Sequence, residues 1–93
     1  MIISYTPEAI GDLIRCRKFI EQKNSEAAER ISKTLRKGIK QLKTFPNIGV
    51  EVQEAPNPEV VHDLILGNYI VRYLLKTNEV FILRIWHHKE DRL

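Results

Sequence analysis

Ninety-three residues, 43% hydrophobic and 29% charged, are the composition of an ordinary globular chain with length for one small core. The net charge of +3 permits contact with nucleic acid or an acidic protein without demanding it. A single cysteine, Cys16, excludes an internal disulfide framework or cysteine-based zinc site and suits a reducing compartment, while no signal-peptide pattern and no apolar run of about 20 residues is present; a soluble, cytoplasmic protein without membrane segment, metal or cofactor is expected.

In chain order, "MIISY" is a short β-branched run and reads as a strand. Thr6-Pro7 supplies an N-cap and a first helical position. From Pro7 to about Lys23, Ala9, Ile10, Leu13, Ile14 and Ile20 share one side at helical spacing, with Arg17 intruding and Phe19 outside the stripe. Asn24 or Ser25 caps a second helix running to about Thr44, whose apolar stripe is Ile31, Leu35, Ile39 and Leu42. Its far side holds Arg30, Lys33, Arg36, Lys37, Lys40 and Lys43, and no acidic residue occurs from Arg30 to Val50. A solvated face is the default meaning; an electrostatic footprint for phosphates or an acidic partner is the alternative.

"FPNIGVEVQEAPNPE" is a connection, with a short extended piece at Gly49 to Val52. Three strand-like runs follow, Val60–Leu66, Tyr69–Lys76 and Glu79–His88, separated by Gly67-Asn68 and Thr77-Asn78. Two-residue loops place Asp63 opposite Arg72, Lys76 opposite Glu79, and Arg72 opposite Leu83. A three-residue second loop would oppose Arg72 and Arg84, an unfavourable pairing of like charges. The expected class is therefore α+β over a single domain, residues 1–93: an N-terminal strand, a two-helix hairpin, then a three-stranded antiparallel meander, with the helices on one face of the sheet.

Alternation puts Val61, Asp63, Ile65, Ile70, Arg72, Leu74, Phe81, Leu83, Ile85 and His87 on one face. The other face then carries Val60, His62, Leu64, Tyr69, Val71, Tyr73, Leu75, Val80, Ile82, Arg84, Trp86 and His88. Both are largely apolar, yet the two helices can shelter only one. The second is expected to receive a partner, or else the Asn47–Glu59 loop and the C-terminal tail.

This order of elements resembles the RelE/ParE superfamily of toxins from bacterial type II toxin–antitoxin pairs. The likeness rests on "FPNIG", on "YIVRY" in the middle strand, and on "ILRIWHHKED" at the end, and it covers nearly the whole chain. It implies a cognate antitoxin that wraps the toxin. It also implies one of two activities: ribosome-dependent cutting of messenger RNA in RelE-like members, or inhibition of DNA gyrase in ParE-like members.

A ribonuclease needs a base, an acid and cations for the developing phosphorane charge. Arg84, His87, His88 and Lys89 are the candidates for those roles. RelE-like enzymes, however, usually have an arginine where this chain has His62, and an arginine after the middle-strand tyrosine, where it has Ile70. Nor does a tyrosine follow Tyr73, and "VEVQEAPNPE" is acidic where those enzymes carry lysines. The ending "WHHKED" looks more ParE-like. The resemblance thus implies a gyrase inhibitor rather than an enzyme, with direct nucleic-acid contact expected only of the RelE-like alternative. Candidate antitoxin- or target-binding residues are Arg72, Arg84, Trp86, His88 and Phe19. Arg72 has a structural role available opposite Asp63, whereas Arg84, with Val71 across from it, has no evident acidic partner. His87 and His88 should point to opposite faces, and His62 and Tyr73 should pack as cross-strand neighbours.

Overall fold

A computed structural model describes residues 1–89. Its elements are β1 (Ile2–Tyr5), α1 (Pro7–Glu21), α2 (Ser25–Lys40) with a tight turn at Gln41–Lys43, β2 (Val50–Glu51), β3 (Val61–Leu66), β4 (Tyr69–Leu75) and β5 (Glu79–His87). The sheet order is β1-β5-β4-β3-β2. β1 runs parallel to β5 and all other pairs are antiparallel. The α+β class, the hairpin of helices and the meander are as expected.

The local signals work as read. Thr6 caps α1 by accepting from the Ala9 N–H at 3.1 Å, with Pro7 in the first turn. Asn24 caps α2 through the Ala27 N–H at 3.1 Å. Gly67 has φ +61°, the left-handed value a two-residue hairpin loop requires at its first position when the second is right-handed. Asp63 lies opposite Arg72 as expected.

The helices and the sheet enclose Leu35, Ile39, Leu42, Leu64, Val71, Tyr73, Val80, Ile82 and Ile85. Within α1 the buried stripe differs from the expected one. Ala9, Asp12 and Cys16 are buried, whereas Ile10 and Ile14 are about half exposed. The helix turns its small residues and one acid toward β5, because beyond Tyr5 the strand β1 has ended and α1 itself closes that edge of the sheet.

The Pro46–Gly49 end of the connection is pinned to the helix side. The Tyr73 hydroxyl donates to the Pro46 carbonyl at 2.7 Å and accepts from the Gly49 N–H at 2.9 Å. Gly49 is needed there, since a Cβ would sit 2.7 Å from the Tyr73 oxygen and 2.9 Å from the His62 Cβ. His62 and Tyr73 stack at 5.4 Å, the packed cross-strand pair expected.

On the opposite face, Val61, Ile70, Leu74, Phe81 and Leu83 are only partly buried and Ile65 is exposed. Among the described residues no helix covers this face. The C-terminal tail beyond Lys89 lies outside the described residues.

Candidate functional site

The second half of β5 is where the expected register fails. Both hairpin loops have two residues, yet Arg72 pairs with Arg84, not Leu83, because a bulge falls between the pairs Arg72↔Arg84 and Tyr73↔Ile82. Leu83 is the extra residue. Neighbouring groups hold the bulge in place. The Thr6 hydroxyl donates to the Leu83 carbonyl at 3.0 Å while capping α1. Two residues further, the Asp12 carboxylate accepts the Ile85 N–H at 2.9 Å. Thr6 and Asp12 take over the edge hydrogen bonds that a longer β1 would have made.

The bulge exchanges the faces of everything after it. Ile85 and His87 turn to the helix side with Val71 and Tyr69, and Arg84 and Trp86 turn to the open side with Arg72 and Ile70. The expected grouping of Arg84 and Trp86 on one face with Tyr69, Val71 and Tyr73 is corrected accordingly.

Arg72 and Arg84 thus stand directly opposite each other, the like-charge arrangement that alternation alone disfavours. Each has its own acid. Arg72 donates through Nε and Nη2 to the two oxygens of Asp63, at 2.8 and 2.9 Å. Arg84 donates in the same two-pronged way to Asp12, at 2.8 and 3.0 Å. The expectation that Arg84 has no acidic partner is therefore overturned: the partner comes from α1, 72 residues away in sequence. The signal that could have found Asp12 is its position on the helix stripe defined by Ala9, Leu13 and Cys16, where an acid must find a cation or a backbone donor.

The electrostatics follow. Burial pushes the Asp12 carboxyl up, but the Arg84 hydrogen bonds, the Ile85 N–H and the nearby cations outweigh it, so its pKa lies below the ordinary value. Hydrogen bonding to Asp63 raises Arg72, with Glu54 adding a weaker pull, and hydrogen bonding to Asp12 raises Arg84. Arg72 also places its guanidinium 5.2 Å from the centre of the Trp86 ring. Trp86 is 7% exposed.

The histidines lie elsewhere. His87 meets Tyr69 edge-on at 5.2 Å, and its ring stacks on His88 at 4.8 Å. The strand ends at His87, so the two rings do not diverge as alternation would require. The His88 N–H donates to the Asn68 carbonyl at 2.8 Å, and His88 Nδ1 lies 3.2 Å from the same oxygen. The Lys89 N–H donates to His87 Nδ1 at 3.1 Å. Those contacts put the His87 proton on Nε2 and a His88 proton on Nδ1. Arg84 reaches toward α1 and the histidines toward the β3–β4 turn, and among the described residues no hydrogen bond or ring contact joins them. Phe19 is 59% exposed on α1, with the Lys23 ammonium 4.7 Å above its ring, and takes no part in the Arg72–Arg84–Trp86 group.

The sequence profile of the ParE toxin of type II toxin–antitoxin system, parDE, matches residues 3–92. The chain belongs to this family of ParE toxins. Among solved structures it is similar to one described as the chromosomal ParDE TA system from P. aeruginosa, at 24% identity and a TM-score of 0.76, over 94% of this chain and 95% of that one. At that identity the likeness speaks for the fold. Among curated proteins no match is found. The ParE-like branch read from "WHHKED" is the branch the family profile supports. In this ParE family member, the open face of the sheet is the place where two separately paired arginines, a buried tryptophan and half-exposed aliphatic side chains come together. No helix of the described residues is long and apolar enough to cross a membrane.

Proposed function

We propose that this chain acts as a cytoplasmic growth inhibitor that binds DNA gyrase, and that a cognate antitoxin neutralises it by covering the open face of the sheet. The observation that carries the choice against RNA cleavage is the pairing of Arg72 with Asp63 and of Arg84 with Asp12. A ribonuclease of this fold must offer cations to a phosphorane. Here the two arginines of the open face each have a carboxylate already holding two donors, and an added phosphate would meet those carboxylates. The histidines that would move protons sit at the strand end, His87, and just past it, His88, toward the β3–β4 turn and away from Arg84.

A binding role suits the same geometry. Arg72, Arg84 and Trp86 form a rigid, shaped patch, and aromatic and arginine side chains dominate binding energy at interfaces. Partly exposed Ile70, Leu74 and Phe81 and exposed Ile65 offer an apolar surface for an antitoxin segment. Partnership with an antitoxin rests on membership of the family together with that surface.

The test has two arms on the purified protein. Supercoiling of relaxed plasmid by gyrase should be blocked, and the block should be lifted by the product of an adjoining antitoxin gene. Primer extension on messenger RNA bound to translating ribosomes should show no cuts within codons. Codon-spaced cuts with unaffected supercoiling would replace this reading by the RelE-like one.

A further inference from the structure

The outer face of α2 plays no part in the site described above, and its charge is unusual. Arg30, Lys33, Arg36, Lys37, Lys40 and Lys43 are all exposed. At 100° per residue Arg30, Lys33, Lys37 and Lys40 fall opposite the buried stripe of Leu35, Ile39 and Leu42, and Arg36 and, in the turn that follows α2, Lys43 lie at its flank. They extend along about 20 Å of helix. Among the described residues none of the six has a carboxylate partner within 4.0 Å; every such ion pair belongs to Arg15, Arg17, Arg72 or Arg84.

The contrast with α1 is instructive. Exposed Arg17 is neutralised by Glu21 at 2.8 Å and by Glu29 at 3.2 Å, which is how a solvated helix face in this chain is built. On α2, Glu26 and Glu29 stand four residues before Arg30 and Lys33, but from Lys33 onward the neighbours three and four apart are cations, at 33/36, 33/37, 36/40 and 37/40, and each such pair disfavours the helix. The chain as a whole carries only +3, so positive charge is concentrated here by placement and not by overall excess.

We infer that the outer face of α2 is a docking surface for the phosphate backbone of duplex nucleic acid. A duplex presents one negative charge per about 1.7 Å of its axis, a continuous line that an uninterrupted line of cations matches without any ordering of the partner. An acidic peptide would have to be ordered on the helix, and a stable peptide contact needs a buried aromatic or aliphatic anchor. The stripe has none, since its members are all lysine or arginine. Contacts of this type position a protein without reading sequence. The surface is separate from the Arg72–Arg84 patch, and the inference stands whether or not gyrase is the target. It departs from the expectation that nucleic-acid contact would accompany only RNA cleavage.

Fluorescence anisotropy of a labelled 20-base-pair duplex of arbitrary sequence tests it. With about four phosphates neutralised, affinity should fall roughly 100-fold between 50 and 200 mM salt. The triple variant Lys33→Gln, Lys37→Gln, Lys40→Gln should lose at least about tenfold in affinity at 50 mM salt, with a shallower salt slope. The Lys→Arg triple variant should keep both. Glutamine and lysine have similar helix propensities, so unchanged circular dichroism should accompany the loss. Absence of binding by the wild-type protein at 50 mM salt, or equal binding by the glutamine variant, overturns the inference. So does competition by poly-glutamate as effective as that by unlabelled duplex of equal charge, which would point to an acidic protein instead.

Discussion

Replacing Asp12 tests whether α1 holds the bulged edge of β5. In Asp12→Ala the Ile85 N–H loses its acceptor at 2.9 Å, and Ile85 is fully buried, so no water reaches it easily. An orphaned buried donor costs about 1–3 kcal/mol. The Arg84 pair adds less. Its side chain is 55% exposed, so solvent screens the pair and its loss is held to about 1 kcal/mol or below. Together these give about 1–4 kcal/mol, a large share of the stability of a small domain. Asp12→Asn keeps an oxygen for the Ile85 N–H and loses only the charge, so it should cost about 1 kcal/mol. Urea denaturation measures both: the midpoint should fall in the order wild type, Asn, Ala, with an unchanged m-value. The pH dependence carries the same sign. The folded pKa of Asp12 is depressed, so its contribution is fully present above the unfolded carboxylate value of about 3.9. It is lost as pH falls below that value and through the lower folded one. The wild type should therefore weaken in acid more steeply than Asp12→Asn. Equal midpoints for the Asn and Ala variants, or a change below about 0.5 kcal/mol for Ala, would refute the edge-closing role.

Two further perturbations follow from the geometry. Tyr73→Phe removes the hydroxyl that ties Pro46 and Gly49 to the sheet; about 2 kcal/mol should be lost, with faster proteolytic cutting between residues 45 and 60, and an unchanged cutting rate would show that the connection is held by other contacts. Arg72→Ala uncovers the only tryptophan, so Trp86 emission should shift to the red and become accessible to acrylamide, while Arg72→Lys should give an intermediate result because it keeps the charge and loses the two-pronged contact with Asp63; unchanged emission would mean that Arg72 does not shield the ring.

Elements governed by neighbours in sequence were legible from the chain alone. Thr6-Pro7, Asn24 and Gly67-Asn68 act through hydrogen bonds or backbone angles that span a few residues, and each does what its chemistry suggests. The Asp63–Arg72 contact was legible too, because a two-residue loop fixes the register of the strands it joins. Ile10 and Ile14 were misplaced for a different reason. Helical spacing defines a stripe but not its exact bearing, and the bearing of α1 was decided by the need to close the edge of β5 with Asp12 and to pack small Ala9 and Cys16 beside it. The histidine pair was misread because alternation was carried one residue past the point where the strand stops.

The bulge at Leu83 had no glycine or proline to announce it, yet a conflict in the sequence demanded something of its kind. From Val80 and Ile82, both fully buried, strict alternation continues to Arg84 and would drive a guanidinium into the core beside Val71. It would also put Ile85 on the open face. Burying an arginine without a partner is far more costly than losing one rung of a ladder. One extra residue resolves the conflict: Ile85 enters the core, fully buried, and Arg84 leaves it. The same step sets Arg84 against Arg72, and that repulsion is bearable because Asp12 and Asp63 approach from opposite sides, one from a helix and one from a strand. The arginine pair on the open face is therefore a consequence of how the core is filled, and its neutralisation by two separate acids is what makes that face a patch for binding rather than a cradle for phosphate.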